Sequence, residues 1–343
     1  MKIGNIEISS NSPLIIPEIG INHGGDLKVA KLMLESAARA GAKIVKHQTH
    51  IVQDEMSHEA TKVVPGNADV SIYEIMSKCA LDEKDEREMM DYCQNLGMIF
   101  LSTPFSRAAA DRLEKFGVQA FKIGSGELNN YPLIEHVAQF GKPMIVSTGM
   151  NNIASVKKSV AIMEKHNVPY ALMHTTNLYP TQPNQVRLGA MQELMQEFPN
   201  CPVGLSDHTL NNFSAYSALA LGAQLIERHF TDTKTRIGPD IGCSMDESDL
   251  SKLIEAAKEI PQMLGGHKAP LPEEKVTIDF AYASVVTIKP IKANEEFTHE
   301  NLWVKRPGTG DFLAESYNSL LGKRATVDIP ADMQLKKYMV TEK

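Results

Sequence analysis

Cysteine is scarce in this chain of 343 residues, and the four thiols, Cys79, Cys93, Cys201 and Cys243, show no CxxC spacing. That excludes a disulfide framework and leaves reduced thiols of a cytosolic protein as the expectation. Long apolar runs are missing as well. No stretch reaches the roughly 18–20 apolar residues of a membrane span. The segment before Pro13 has one lysine and no unbroken apolar run, so it does not read as a secretory signal. An excess of positive charge is also lacking. Lys and Arg number 35 against 42 Asp and Glu, a formal net charge of −7. That argues against a nucleic-acid or anionic-membrane partner, since each needs a basic stripe. A small anionic substrate needs only a local cluster of cations and stays open. Apolar residues at 43% and charged residues at 22% are ordinary globular usage, so whole-chain disorder and coiled-coil or collagen compositions are excluded. The expectation is a soluble, cytoplasmic protein.

Short apolar runs ending in polar residues recur: Leu14–Ile19, Lys43–Gln48, Met98–Thr103, Ala120–Gly124, Pro143–Thr148, Tyr170–Thr175, Pro202–Ser206 and Gln224–His229. Runs of this kind read as buried parallel strands. Amphipathic segments lie between them, as in Leu27–Ala40, Ala108–Phe116, Asn152–His166 and Asn211–Leu221, several followed by a glycine that can cap the helix. Strands alternating with helices in this number predict an α/β fold, a (β/α)₈ TIM barrel. A doubly wound open sheet is the rival, but no GxGxxG follows any strand. The Asp54–Cys79 insertion makes one βα loop long, as lids and substrate loops are. After Leu264 the texture changes. The barrel is expected over 1–265, an exposed linker over 266–281, and a small β-rich domain over 282–343 with strands at Ala283–Ile288, Leu302–Lys305 and Arg324–Val327.

Chemistry in a barrel gathers at the carboxyl ends of its strands. Those ends offer Glu18, Lys46 with Gln48, Ser102, Lys122 with Ser125 and Glu127, Ser147, Asn177 with Tyr179, Ser206 with His208, and His229. Lys46 and Lys122 interrupt apolar runs, and a buried ammonium persists only with an anionic partner. They form either a phosphate clamp with Ser125, Ser147, Ser206 and Asn177 or ion pairs to Glu18 or Glu127 within the barrel. Gly124 and Gly126 flank Ser125 and would admit a ligand close to the backbone. His208 and His229 end the last two strands, which lie about 4.8 Å apart in a parallel sheet. They are either satisfied core histidines or two ligands of one divalent metal, with Asp207 and Glu227 as acceptors orienting the rings.

The chain resembles the sialic acid synthase family, enzymes that condense phosphoenolpyruvate with an acylamino sugar. The resemblance rests on PEIGINHGGD at Pro17–Asp26, KHQTH at Lys46–His50, VVPGNADVSIYEIM at Val63–Met76 and LSTPFS at Leu101–Ser106. FKIGSGELNNYPLI at Phe121–Ile134, STGM at Ser147–Met150, HTTNLYP at His174–Pro180 and GLSDHT at Gly204–Thr209 continue it. ERHFTD at Glu227–Asp232, GPDIGCSM at Gly238–Met245 and VKRPGTGD at Val304–Asp311 carry it to the second domain. The bacterial N-acetylneuraminate synthase branch is the most similar.

That resemblance implies a TIM barrel followed by an antifreeze-like SAF domain, in a domain-swapped homodimer whose C-terminal domains cap the partner's barrel. It implies that Lys46, Lys122, Ser125, Ser147, Asn177 and Ser206 hold phosphoenolpyruvate. His208 and His229 would hold Mn²⁺, or Mg²⁺ or Co²⁺. Glu18, Gln48, Glu127, Tyr179 and Asp240 would face N-acetylmannosamine, with Arg306 reaching its acyl group and Phe280 and Phe105 lining that region. Glu127 is assigned proton handling and Glu18 the orientation of sugar hydroxyls. The metal would polarise the aldehyde oxygen of the sugar. Alternatives are legionaminate or pseudaminate synthases, which use a 2,4-diacetamido-6-deoxyhexose, and, from another class, a carbohydrate- or ice-binding module. Leu128 stands where many relatives carry cysteine, Gly242 where valine is frequent, and Asn294 where glycine is usual. Asparagine tolerates the left-handed conformation nearly as well.

Overall fold

A computed structural model describes residues 1–65 and 69–342. The stretch 66–68, inside the VVPGNADVSIYEIM motif, lies outside the described residues. Eight parallel strands close into a barrel: β1 (Leu14–Gly20), β2 (Ile44–Thr49), β3 (Ile99–Pro104), β4 (Phe121–Ile123), β5 (Met144–Ser147), β6 (Tyr170–Thr175), β7 (Val203–Asp207) and β8 (Leu225–His229). Each pairs with the next, and β8 returns to β1 with His229 opposite Glu18. This is the TIM barrel the alternation predicted.

The helices between strands start and stop where local chemistry dictates. Asp26 accepts from the Lys28 and Val29 amides at the start of Leu27–Arg39, and Asn152 accepts from Ser155 N ahead of Ile153–Lys165. Both occupy otherwise orphaned amide donors. Gly117 ends Arg107–Phe116 in the left-handed region, φ 78°, which a Cβ would disfavour. The Asp54–Cys79 insertion begins within a turn of helix at Val52–Glu55 and holds a 3-10 turn at His58–Lys62 and the helix Ile72–Cys79.

Strand alternation divides the apolar residues into two layers. One set, Ile15, Val45, Phe100, Phe121, Val146, Leu172, Leu205 and Ile226, faces the helices. The other, Leu14, Ile16, Ile44, Ile99, Leu101, Ala120, Ile145, Ala171, Met173 and Leu225, fills the lower barrel. Ile3 and Ile8, from an N-terminal hairpin pairing Lys2–Ile3 with Ile6–Glu7, join that interior cluster and close the bottom. Gly204 sits among the β7 and β8 backbones, where an added Cβ would meet the Leu225 carbonyl oxygen at 2.1 Å.

The chain divides into compact units at Met1–Gly265 and Gly266–Lys343. In the second, Ser284–Thr287 pairs antiparallel with Leu302–Lys305, over a core of Val285, Ile291, Phe297, Leu302, Leu320 and Ile329. Two expectations differ here. The segment expected as linker carries the helix Lys275–Ala281, which contacts the following turn: Gly308 N donates to Asp279 O. Arg324–Val327 forms isolated bridges, Glu296 with Arg324 and Ala325 with Val340, rather than a strand. Asn294 has φ 69°, the left-handed conformation its position called for.

Candidate active site

Above the apolar layers the inward side chains become polar. On β2 the inward positions run Ile44, Lys46, Gln48; on β8 they run Leu225, Glu227, His229. The same alternation puts Lys122 on β4, Ser147 on β5 and Ser206 on β7 into the barrel. The resulting cleft, about 150 Å³, is lined by Lys46, Gln48, Phe105, Lys122, Ser125, Glu127, Ser147, Asn177, Tyr179, Ser206, His208 and His229, together with Thr103, Thr175 and Glu227.

Its floor is a chain of opposite charges. Lys46 Nζ lies 2.8 Å from Glu18 Oε2 and 3.5 Å from Glu227 Oε1, and Lys122 Nζ lies 3.7 Å from Glu227 Oε2. Lys122 donates to Ser147 Oγ at 2.6 Å, Lys46 to Thr103 Oγ1 at 3.3 Å, and Ser206 to Glu227 at 3.3 Å. Burial opposes every charge here, and the neighbours decide the outcome. Burial pulls the Lys122 ammonium down to about 8 against the pull of Glu227. Lys46 is raised because Glu18 and Glu227 outweigh its burial. Burial would raise Glu227, but Lys122 and Lys46 hold its carboxyl below the ordinary range. Glu18 is raised, chiefly by burial. Glu127, on the loop after β4, is pushed up to about 7 by burial and then by the Glu55 carboxylate. Gly124 gives the Glu127 carboxylate room: a Cβ there would stand 2.5 Å from Glu127 Oε2.

The two histidines meet at the rim, their ring centroids 5.3 Å apart, with the Tyr179 ring 4.1 Å from that of His208 and tilted by 30°. Burial brings His208 down to about 4, aided by His229, and His229 down to about 3, aided by Lys46. Both rings are neutral at pH 7 and keep nitrogen lone pairs. His208 Nδ1 is engaged by the Thr176 carbonyl at 2.8 Å, which leaves Nε2 bare. His229 Nδ1 is buried with no hydrogen-bond partner among the described residues, 3.7 Å from Asp240 Oδ2. No cluster of three His, Cys, Asp or Glu side chains forms a ready metal cage among the described residues.

Asp207 and Glu227 do not orient these rings as expected. Glu227 faces inward and bridges the lysines. Asp207, one residue out of phase with Ser206 and His208, points outward to Arg228 Nε at 2.9 Å and to Thr209 and Ser214. Arg228 is 2% exposed and also reaches Asn212 and the Thr209 carbonyl, so a buried ion pair braces β7 against β8 behind the site. His47 and His174, also near strand ends, face away: His47 lies by Glu86 and His174 is satisfied by the Val186 carbonyl. In the C-terminal unit, Arg306 is exposed and its guanidinium lies 5.8 Å from the Phe280 ring centroid.

Residues 33–269 match the NeuB family and residues 282–341 the SAF domain. The chain belongs to the NeuB family. It is 36% identical to the N,N'-diacetyllegionaminic acid synthase of Campylobacter jejuni, over 94% of this chain and 99% of that one. It is 30% identical to the human N-acetylneuraminate-9-phosphate synthase, over 95% of this chain and 92% of the relative. Among solved structures, the N-acetylneuraminic acid synthetase of Leptospira borgpetersenii superposes with a TM-score of 0.73 at 30% identity, covering 81% of this chain and 94% of that one. As a NeuB-family protein the chain is a sugar acid synthase, a TIM barrel with a C-terminal SAF domain, acting on small molecules. Among the described residues, no helix is long and apolar enough to cross a membrane.

Proposed function

We propose that this enzyme condenses phosphoenolpyruvate with open-chain N-acetylmannosamine and water, giving N-acetylneuraminate and phosphate by C–O cleavage. The observation that carries the reading is the pair of buried ammoniums, Lys46 and Lys122, among Ser125, Ser147, Asn177 and Ser206. A ligand bearing both a carboxylate and a phosphate needs several donors converging from different directions. The longest of their contacts are those to Glu227, at 3.5 and 3.7 Å, and these are the ones an incoming oxyanion would replace at least cost.

C3 of phosphoenolpyruvate attacks the aldehyde carbon, which leaves an oxocarbenium-like centre at C2. Water adds there, and the tetrahedral centre expels phosphate. Glu127 handles a proton at the reacting centre, since a carboxyl titrating near 7 exchanges protons readily at neutral pH. Glu18, held by Lys46 and Gln48, orients sugar hydroxyls, and Tyr179, Asp240 and Phe105 wall the acceptor side. His208 and His229 suit Mn²⁺, Mg²⁺ or Co²⁺, because both are neutral and offer unengaged nitrogens. Such an ion, when bound, supplies Lewis-acid polarisation of the acceptor's carbonyl oxygen.

We assign Arg306 and Phe280 to the acyl group, delivered from the partner's C-terminal domain in a homodimer. Arg306→Ala is expected to raise the sugar KM far more than the phosphoenolpyruvate KM; initial-rate kinetics with each substrate varied check this, and equal effects contradict it.

The 36% identity to the C. jejuni enzyme supports a second reading, with a 2,4-diacetamido-6-deoxyhexose as acceptor. Phosphoenolpyruvate offered with each hexosamine and Mn²⁺, with phosphate release and product mass measured, separates the acceptors. No phosphate release with any of them, together with thermal hysteresis, would leave only a binding module.

A further inference from the structure

One element of the cleft wall is assigned no part in the chemistry above, yet it touches two of the residues facing the acceptor. His50 follows the last residue of β2 and is 4% exposed. Its Nε2 lies 3.2 Å from Gln48 Oε1, and Gln48 Nε2 in turn donates to Glu18 Oε1 at 2.8 Å. Its ring stacks on Phe105, with centroids 4.4 Å apart and planes at 14°. Its other nitrogen, Nδ1, lies 2.8 Å from Glu55 Oε2. Glu55 ends the helical turn Val52–Glu55 at the start of the long insertion, and its neighbour Asp54 is tied down by the Ala108 amide at 2.9 Å.

We propose that the Glu55–His50 pair is a positioning device for the acceptor half of the cleft, fixing the amide of Gln48 and the ring of Phe105. The reasoning is geometric. A primary amide is nearly symmetrical in shape, so a glutamine facing a sugar presents either its NH₂ or its oxygen unless a third group decides. Glu18 accepts from the Gln48 NH₂, so Oε1 is the amide atom left facing His50 Nε2, and an N–H donated from that nitrogen holds the amide in this sense. The NH₂ is thereby turned toward Glu18, and the Glu18 carboxylate is held with it. Glu55 keeps the imidazole from rotating, as carboxylates do behind functional histidines, and Phe105 covers one face of the ring. Of the residues given to phosphoenolpyruvate only Lys46 touches this network, through Glu18 at 2.8 Å; Lys122, Ser125, Ser147, Asn177 and Ser206 do not, so the effect falls chiefly on the sugar. The inference rests on the synthase reading above.

Two replacements separate positioning from mere packing. Asparagine at 50 places an amide near Nδ1, keeps Glu55 company and falls short of Gln48; glutamine reaches the Nε2 position and restores a donor to Gln48. His50→Asn is expected to raise the acceptor KM roughly tenfold, the scale of one hydrogen bond, with the phosphoenolpyruvate KM within about twofold of the parent on that same scale. His50→Gln is expected to recover most of the loss. Glu55→Gln, on the more accessible partner, is expected to give a smaller rise in the same KM, read apart from any change in kcat because the Glu55 carboxylate also raises Glu127, and serves if the His50 variants melt below the assay temperature. Equal acceptor KM in the Asn variant, the Gln variant and the parent would overturn the proposal, as would parallel rises in both substrate KM values. Absence of phosphate release by the parent enzyme with every hexosamine would sink the synthase reading itself, a different result from active enzyme with unmoved KM.

Discussion

Glu127→Gln is expected to lower turnover by about 10²–10⁴-fold, the contribution of a positioned acid–base group, while making the folded protein more stable at alkaline pH. The two effects share one cause. Glu127 is largely buried, its Oε2 lacks a hydrogen-bond partner among the described residues, and its carboxyl titrates near 7 instead of 4.5. Between pH 4.5 and 7 the folded chain therefore holds a proton that the unfolded chain has released, so stability falls as pH rises through that window and stays lowered above it. Glutamine cannot ionise and escapes the penalty, which amounts to about 1–3 kcal/mol after allowance for partial exposure. Denaturant unfolding of parent and variant should coincide near pH 4.5 and separate at pH 8, the variant being the more stable. Turnover within a few-fold of the parent would show that the proton moves elsewhere, and equal stability at pH 8 would show that the carboxylate is solvated.

Removal of the divalent ion proposed for His208 and His229 is expected to be the second large effect. Dialysis against a chelator should abolish phosphate release, and added Mn²⁺ should restore it. His229→Ala should weaken Mn²⁺ binding, measured by calorimetry on the protein alone, by more than the roughly 10–100-fold attributable to outer partners of a metal ligand. Mn²⁺ should also raise the melting temperature of the parent, because a ligand that binds only the folded chain stabilises it in proportion to the logarithm of its concentration. The variant should lose that rise. Full activity of metal-free enzyme would remove the two histidines from the chemistry.

Much of this architecture is legible before any coordinates. Each barrel strand announces itself as an apolar run ended by polar residues, because a strand covered by helices outside and side chains inside has no solvated face until its tip. The lysines of KIVKHQ and AFKIGSGE stand out for the same reason, and the structure gives each both a carboxylate neighbour and a place in the cleft. What escapes is information that needs closure of the ring. Glu227 bridges two lysines contributed by β2 and β4, and nothing local to ERHFTD says so. Strict alternation along β7 would have turned Asp207 outward, away from His208, and along β8 it would have paired the outward Arg228 with it. His50 reads as one more polar residue at a strand end, since its partners lie at positions 48, 55 and 105 on three different elements. The helix Lys275–Ala281 is hidden by the Gly- and Pro-rich stretch before it, and Arg324–Val327 is β-rich in composition without a partner strand to pair along its length.

The hydrophobic plug beneath the charged floor has a kinetic consequence. Ile3 and Ile8 seal a lower barrel whose interior is isoleucine, leucine, alanine and methionine, so among the described residues the cleft opens at the carboxyl ends of the strands. Whatever binds against Lys46 and Lys122 lies under whatever binds against Gln48 and Tyr179. A reactant seated at the bottom is then expected to arrive before its co-substrate, and a product formed there to leave after the upper one, an order that product-inhibition patterns would read.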